Sequence, residues 1–333
     1  MTDPVYISLE KVYDIALGCL SRSGASAEQA RAVAETVTNA ERDNCKSHGL
    51  FRIPGFCASL KSGKVSGDAV PVVRDLAPAV VHVDGQNGFA PLALEVGAEP
   101  LAAKAKSQGI AALAVTDSYH FSALWPEIER LTDLGLVAFA FVSAKSFVAP
   151  AGGIKPLYGT NPMAFGWPRE NAPAVIFDQA SSASARGEIQ LHERDGQQIP
   201  DGWAIDADGN PTNDPTAALA GAQLPFGGHK GAAIAMMVEL LAGSLIGDVL
   251  SFEASRDDLA DGGPSSGGEF MIAIDPTRNG NSGALAHAEK LFAEILAQDG
   301  TRLPSQRRYE ARAKPPAEGV SVVASLYDTL LSL

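Results

Sequence analysis

Residues 110–118 read IAALAVTDS, an apolar run that opens just after Gly109 and closes on polar residues. A short apolar stretch bounded in this way suits a buried strand. The stretch before it, 91–107, reads as a helix leading out through Gly109, and AVVHVDG at 79–85 reads as a strand closing in a turn at Asp84-Gly85. Further along, ALWPEIERLTDLG (123–135) is an amphipathic helix ending at Gly135, LVAFAFVSA (136–144) is a second buried strand, and AVIFDQA (174–180) is a third. The middle of the chain is therefore α/β.

The flanks read differently. Ser26 followed three residues later by Gln29 is a capping-box pattern, and Ala30, Val33, Ala34, Val37 and Ala40 recur at helical spacing, which predicts a helix to about Arg42. A preceding helix over residues 9 to 21 makes a helical hairpin, and SHGLFRIP (47–54) lies just beyond it. Residues 193–225 are polar and rich in Asp-Gly and Pro, and read as ordered loops. GAAIAMMVELLAGSLIGDVL (231–250) is nearly long enough to cross a bilayer, but Glu239 interrupts it, and a buried core helix is the better reading. AHAEKLFAEILAQ (286–298) and VSVVASLYDTLLSL (320–333) read as helices, so the two ends of the chain should pack together around an inserted module.

With 333 residues the chain is long enough for about two domains. Hydrophobic residues make up 46% and charged residues 20%, as in ordinary globular proteins. A net charge of -13 argues against a nucleic-acid or anionic-membrane partner, because both need a basic face. The odd set Cys19, Cys45 and Cys57 forms no CxxC pair, and MTDPVYISLE lacks a basic segment followed by an apolar run, which points to the cytoplasm.

None of the six histidines falls in a metal-ligand spacing such as HExxH, so no metal site is expected. The GxSxG, GxxxxGK[ST] and GxGxxG patterns are also missing, which disfavours an ordinary dinucleotide-binding dehydrogenase. What remains is a set of polar groups. Ser47, His48 and Arg52 offer an imidazole to move a proton and a guanidinium to hold a carboxylate. Asp178 ends an apolar strand, where it could steady a histidine ring or cap a turn. His229 and Lys230 in FGGHKG open a helix whose N-terminus favours an anion, or they are a solvated turn. RLPSQRR places Arg302, Arg307 and Arg308 together, a cluster that can bind phosphate or simply be solvated.

Taken in order, ERDNCKSHGLFRIPGF, HFSALWPEIE, FVAPAGGIKPLYGTNPMAFGWPR, IFDQASSASARGEIQLHERDGQQIP, WAIDADGNPTNDP, PFGGHKGAAIAMMVELLAG and RLPSQRR resemble the type 2 malate/L-lactate dehydrogenase family, also called L-sulfolactate dehydrogenase-like oxidoreductases. Within it, SHGLFRIPGF, HFSALWP, the FVAPAGGIKPLYGTNPMAF block and ARGEIQL look most like the Δ1-piperideine-2-carboxylate/Δ1-pyrroline-2-carboxylate reductase branch.

The resemblance implies a non-Rossmann α/β fold. A mixed-sheet cofactor domain (109–269) would be inserted in a helical substrate and dimerisation domain built from both chain ends (1–108 plus 270–333). It also implies a homodimer and NADPH as donor, with NADH possible. His48 would be the general acid with Ser47 and Asp178 as partners, while Arg52 and Thr160 would hold substrate. The cofactor would lie against His120, Phe121, Ser122, Ala123 and Leu124, the strand residues Ala174, Val175 and Ile176, the pair His229 and Lys230, and Arg302, Arg307 and Arg308. Arg186 and Gln190 are left without a role.

The chemistry of the residues agrees with this. Reducing a C=N or C=O bond beside a carboxylate needs a hydride at carbon, a proton at the heteroatom and a cation for the acid group. The expected activity is NAD(P)H-dependent reduction of Δ1-piperideine-2-carboxylate to L-pipecolate and of Δ1-pyrroline-2-carboxylate to L-proline. The alternatives are a 2-hydroxyacid dehydrogenase acting on oxo acids and a non-catalytic carboxylate- or nucleotide-binding protein.

Overall fold

The computed structural model describes residues 4–313 and 319–333. Its centre is a mixed sheet in the order Val72–Ala77, Val80–Phe89, Ile110–His120, Glu269–Ile274, Val137–Val142, Met163–Trp167, Val175–Gln179, with the short strand Ser265–Ser266 paired to the far end of Ile110–His120. Val80–Phe89 and Ile110–His120 pair in parallel, and every other neighbour in the sheet is antiparallel. The parallel pair is joined by the helix Ala90–Gln108, as a parallel connection requires. That helix lies close on the sheet at Gly97, where a Cβ would stand 2.9 Å from the Leu113 side chain. Leu94, Leu101, Val81, Val83, Leu113 and Val115 fill the layer between them.

Several expectations are corrected here. The strand at 79–85 does not turn at Asp84-Gly85. It continues to Phe89 through a bulge, with Gln86 and Asn87 at φ of 53° and 60°. The strand Glu269–Ile274, in the middle of the sheet, was not foreseen, although its alternation of buried and half-buried residues is the ordinary strand signal. The sheet also takes strands from both sides of the 108/109 and 269/270 divisions.

The helical hairpin is Leu9–Arg22 and Ala27–Arg42. Ser26 accepts the Gln29 backbone N–H, but the Gln29 side chain does not close the box. It donates to Ala69 O at 2.9 Å and accepts from Phe89 N at 3.1 Å, tying the hairpin to the bulged strand. The chain ends do meet: Val5–Ile7 pairs antiparallel with Val320–Val322, so the C-terminal segment begins as a strand and becomes helix only at Ala324–Ser332. The polar stretch 193–225 folds into a three-stranded sheet and the helix Pro215–Ala220 around Ile189, Ile199 and Ala218.

The long apolar segment is not a buried core helix. His229–Glu239 runs into a wider turn at Leu240–Ser244, burying Ala235, Val238 and Ala242 and leaving Met236, Met237, Leu240 and Leu245 exposed. Glu239 explains the interruption: its buried carboxylate accepts from Asn161 Nδ2 at 2.7 Å and Ser251 N at 2.9 Å. Among the described residues no helix is long and apolar enough to cross a membrane.

Asp43 joins the hairpin to the sheet region. Its side chain is fully buried and accepts from Trp125 Nε1 at 2.8 Å and from Arg312 Nε at 2.7 Å, with Arg42 as a further partner at 2.9 Å. Burial alone would raise its pKa, yet the bonds to Arg312 and Arg42 hold it below the usual carboxylate range. Replacing Arg312 with Met strips a buried carboxylate of one of two cations, and urea unfolding should show a loss of about 2 kcal/mol. A loss of no more than about a few tenths of a kcal/mol, the scale of an exposed ion pair, would contradict the role given to Asp43.

Candidate active site

The segment after the hairpin makes two tight turns, Lys46–His48 and Leu50–Arg52, before the helix Ile53–Lys61 starts with proline in its first turn. Glu41, buried near the end of the preceding helix, fixes both turns. One carboxylate oxygen accepts Leu50 N at 2.8 Å and the other accepts Lys46 Nζ at 2.8 Å. Position 49 must be glycine, since a Cβ there would fall 2.1 Å from the Glu41 carboxylate.

Those turns aim Arg52 and His48 into one cleft. Arg52 is 7% exposed, donates from Nε to Ser47 O at 2.6 Å and from Nη1 to Gln190 Oε1 at 3.3 Å, and lies 4.0 Å over the Phe121 ring. Among the described residues it forms no ion pair with a carboxylate. Burial pulls its pKa down to about 10, which measures how poorly the site solvates its charge. Gly187 closes over it, where a Cβ would sit 2.3 Å from Arg52 Nη2. His48 Nδ1 is 3.1 Å from Ser47 Oγ and 3.5 Å from Cys45 Sγ, leaving Nε2 as the ring nitrogen for a ligand.

The cleft has a volume of about 130 Å³, and His48, Arg52, His120, Phe121, Thr160 and Arg186 border it. Thr160 is held from both sides. Its neighbours Gly159 and Asn161 bond to Glu239, and its own carbonyl accepts from Ser181 N and Ser181 Oγ, each at 2.9 Å. Arg186 stacks 4.1 Å over Phe147 and donates to Leu219 O at 3.0 Å, and burial lowers its pKa to about 10. Thus Ser47, His48, Arg52 and Thr160 come together, and Arg186 and Gln190 join them.

Asp178 stands elsewhere than beside the ring. Its Oδ2 accepts Leu124 N at 2.7 Å and Trp125 N at 3.2 Å, capping the helix Trp125–Asp133, and among the described residues no hydrogen bond links it to His48. It thereby fixes the end of the segment His120, Phe121, Ser122, Ala123 and Leu124, the first three of which border the cleft.

The other expected cofactor residues fall into two groups. Ala174 O accepts from Tyr309 OH at 2.9 Å, Ile176 N donates to Ser305 Oγ at 3.2 Å, and Arg308 Nη2 donates to Ile176 O at 3.1 Å, so the strand through Val175 and the arginine loop are one unit. Arg308 also lies 4.9 Å over the Trp125 ring and keeps a buried Nε–H with no acceptor among the described residues, while Arg302 and Arg307 are exposed. His229 and Lys230 are exposed where the helix begins after Gly228 at φ 64°, and Phe226 N ties that turn to Ser181 O, next to Thr160.

Sequence reasoning missed Glu127 and Glu269, which flank His120; His120 Nε2 is 3.3 Å from Glu269 Oε2. The signal was available, since Glu269 opens an otherwise apolar strand, an unusual place for a carboxylate.

Residues 7–331 match the family model for malate/L-lactate dehydrogenase. A Δ1-pyrroline-2-carboxylate reductase of Ancylobacter novellus is 52% identical, covering 100% of this chain and 98% of that protein. A Δ1-pyrroline-2-carboxylate/Δ1-piperideine-2-carboxylate reductase of Pseudomonas aeruginosa is also 52% identical, covering 99% of each. Among solved structures, the Δ1-piperideine-2-carboxylate reductase of Pseudomonas syringae superposes with a TM-score of 0.93 at 42% identity, covering 98% of this chain and 99% of that one. The sulfolactate dehydrogenase of Methanocaldococcus jannaschii superposes with a TM-score of 0.87 at 26% identity, covering 98% and 95%.

The resting charge of the cleft is measurable. Burial first, then Arg52 and then His120, lower the His48 pKa to about 3, so its ring is neutral at physiological pH. An NMR titration should find that ring neutral through the physiological range, and adding acetate, which can pair with Arg52, should move its titration upward. A ring that titrates near the ordinary value of about 6.5 without acetate would contradict this geometry.

Proposed function

The chain belongs to the malate/L-lactate dehydrogenase family, and from that premise we propose that it reduces small cyclic imino acids with a nicotinamide cofactor. Δ1-Pyrroline-2-carboxylate becomes L-proline and Δ1-piperideine-2-carboxylate becomes L-pipecolate, as the names of its relatives suggest. The observation that carries this reading is a buried guanidinium that meets no carboxylate among the described residues, placed in one cleft with an imidazole. Such a cation is costly until an anion pairs with it.

Arg52 receives the substrate carboxylate, and its bonds to Ser47 O and Gln190 keep the guanidinium from following the ligand as it moves. Thr160, which borders the same cleft, contacts the substrate as well. Ser47 Oγ holds His48 Nδ1, so that Nε2 meets the imine nitrogen. A carboxylate on Arg52 removes part of the charge that holds the His48 pKa down, so substrate binding itself makes the ring a better proton carrier. Asp178 acts as a positioning residue for the wall His120–Leu124 rather than as the partner of the ring.

A bound nicotinamide supplies the hydride. The residues fit such a group: Arg308 has a buried N–H in want of an acceptor, and His120, Phe121 and Ser122 line the cleft. Ala123, Leu124, Ala174, Val175 and Ile176 back them, and His229, Lys230, Arg302 and Arg307 supply exposed charge for phosphate oxygens. The exposed arginines favour NADPH, with NADH as the weaker donor. We take the active form to be a homodimer in the cytoplasm. The exposed apolar strip Met236, Met237, Leu240 and Leu245 supports the first, and three free cysteines support the second.

Removing Arg52 tests the reading. Arg52→Ala should raise KM for a cyclic imino acid by about 100-fold, the scale of a lost charge-assisted bond, with a smaller effect on kcat. Gly187→Ala, which crowds the same guanidinium, should raise KM in the same direction by less. Steady-state kinetics that show KM unchanged in Arg52→Ala would rule out the carboxylate role.

A further inference from the structure

Glu127, Glu269 and His120 form a cluster that the reaction as described leaves unused. Their donor atoms all lie within 4.8 Å of one another. Glu269 is 1% and His120 9% exposed, and Glu127 Oε1 is cut off from solvent. Both oxygens of Glu269, Oε1 of Glu127 and Nε2 of His120 lack a hydrogen-bond donor or acceptor when both acids are ionised. Two carboxylates facing each other in a buried place can bond only if a proton lies between them. Burial and the neighbouring carboxylate push Glu127 well up, and burial pushes Glu269 up to about 8, with Asp178 adding to both. His48, whose ring is neutral in the resting site, is a further titratable group that interacts with His120.

The cluster also connects two cavities. His120 borders the cleft that holds His48 and Arg52. Glu127 borders a second cleft of about 100 Å³, lined by Glu35, Asn39, Glu95 and Arg130, and Ser122 is common to both. Glu269 Oε2 is 3.3 Å from His120 Nε2, and the Glu269 and Glu127 carboxylates come within 4.8 Å of each other.

We propose that Glu127 and Glu269 share one proton and pass it through His120 to the substrate nitrogen, refilled from the second cleft. This rests on the reading of the substrate as a cyclic imine. A neutral imine that leaves as a secondary ammonium gains one hydride at carbon and two protons at nitrogen, whereas an oxo acid gains one hydride and one proton. His48 delivers one proton. His120 delivers the other from its ring, takes a proton from Glu269, Glu269 takes one from Glu127, and Glu127 takes one from water in the second cleft. His48 regains its proton from water that enters the substrate cleft as product leaves, and the hydroxide formed at Glu127 passes to the solvent of the second cleft, so the protein returns to its resting charge.

The test uses Glu127→Gln and Glu269→Gln, which keep the volume and a hydrogen bond but break the relay. In wild-type protein without substrate, infrared spectroscopy should show the carbonyl band of a protonated carboxyl group at neutral pH, sensitive to deuterium oxide and lost in either variant. With a cyclic imine, both variants should lose about 10-fold or more in kcat above neutral pH. They should recover toward wild type in mildly acidic buffer, where the imine arrives protonated, and should bind NADPH as wild type does.

A wild-type protein without the band, or one carrying one equivalent of a divalent metal per chain in place of the proton, would overturn the proposal. A loss equal at every pH would overturn it too. If the wild type fails to reduce cyclic imines at all, the substrate reading falls, and the infrared band still decides whether the pair holds a proton.

Discussion

A positive charge buried without a counter-charge among the described residues sets the terms for this molecule. Arg52 is nearly sealed from water, and among the described residues it meets a carbonyl, an amide oxygen and an aromatic face rather than a carboxylate. Such an arrangement is stable only because the surroundings are rigid. Glu41 pins the turns that carry Arg52, and glycines at 49 and 187 leave the space that the pinned groups fill. The cost of that charge is recovered when an anion binds, so the same feature that strains the empty cleft selects its ligand.

The charge also governs its neighbours. With burial, it holds His48 neutral, and on the proposed function a carboxylate on Arg52 would couple binding to proton supply through one guanidinium. Around this point the fold uses buried and half-buried acids as joints. Asp43 ties the N-terminal hairpin to Trp125 and Arg312, Asp178 caps the helix that begins at Trp125, and Glu239 holds the turn bearing Thr160. Each of these carboxylates satisfies backbone or side-chain donors that would otherwise be orphaned. The cleft is thus assembled from segments far apart in the chain, each fixed by an acid.

Much of this was legible in the sequence. Apolar runs and helical spacing located the hairpin, the helix Ala90–Gln108 and the strands through Leu113, Phe139 and Ile176. The grouping of Ser47, His48 and Arg52 at the end of a helix was visible because local spacing set it. What escaped was set by contacts distant in sequence. The bulge at Gln86 and Asn87 follows from Gln29 bonding across to Phe89, and the interior strand Glu269–Ile274 is placed by partners more than a hundred residues away. Asp178 looked like a partner for a histidine because its position at a strand end is the same whether it faces a ring or a helix terminus. Only the fold shows that Leu124 and Trp125 reach it first. The apolar run after Gly231 misled in another way, because composition reports hydrophobicity and not which face of a helix finds a neighbour.

The most direct measurement is oxidation of NADPH and NADH followed side by side with Δ1-pyrroline-2-carboxylate, Δ1-piperideine-2-carboxylate, pyruvate and oxaloacetate in ammonia-free buffer. A buried guanidinium and an imidazole facing a cyclic imine predict turnover of the two imines well above that of the oxo acids, with NADPH the better donor. Turnover confined to the oxo acids would contradict the imine assignment and make the cleft that of a 2-hydroxyacid dehydrogenase.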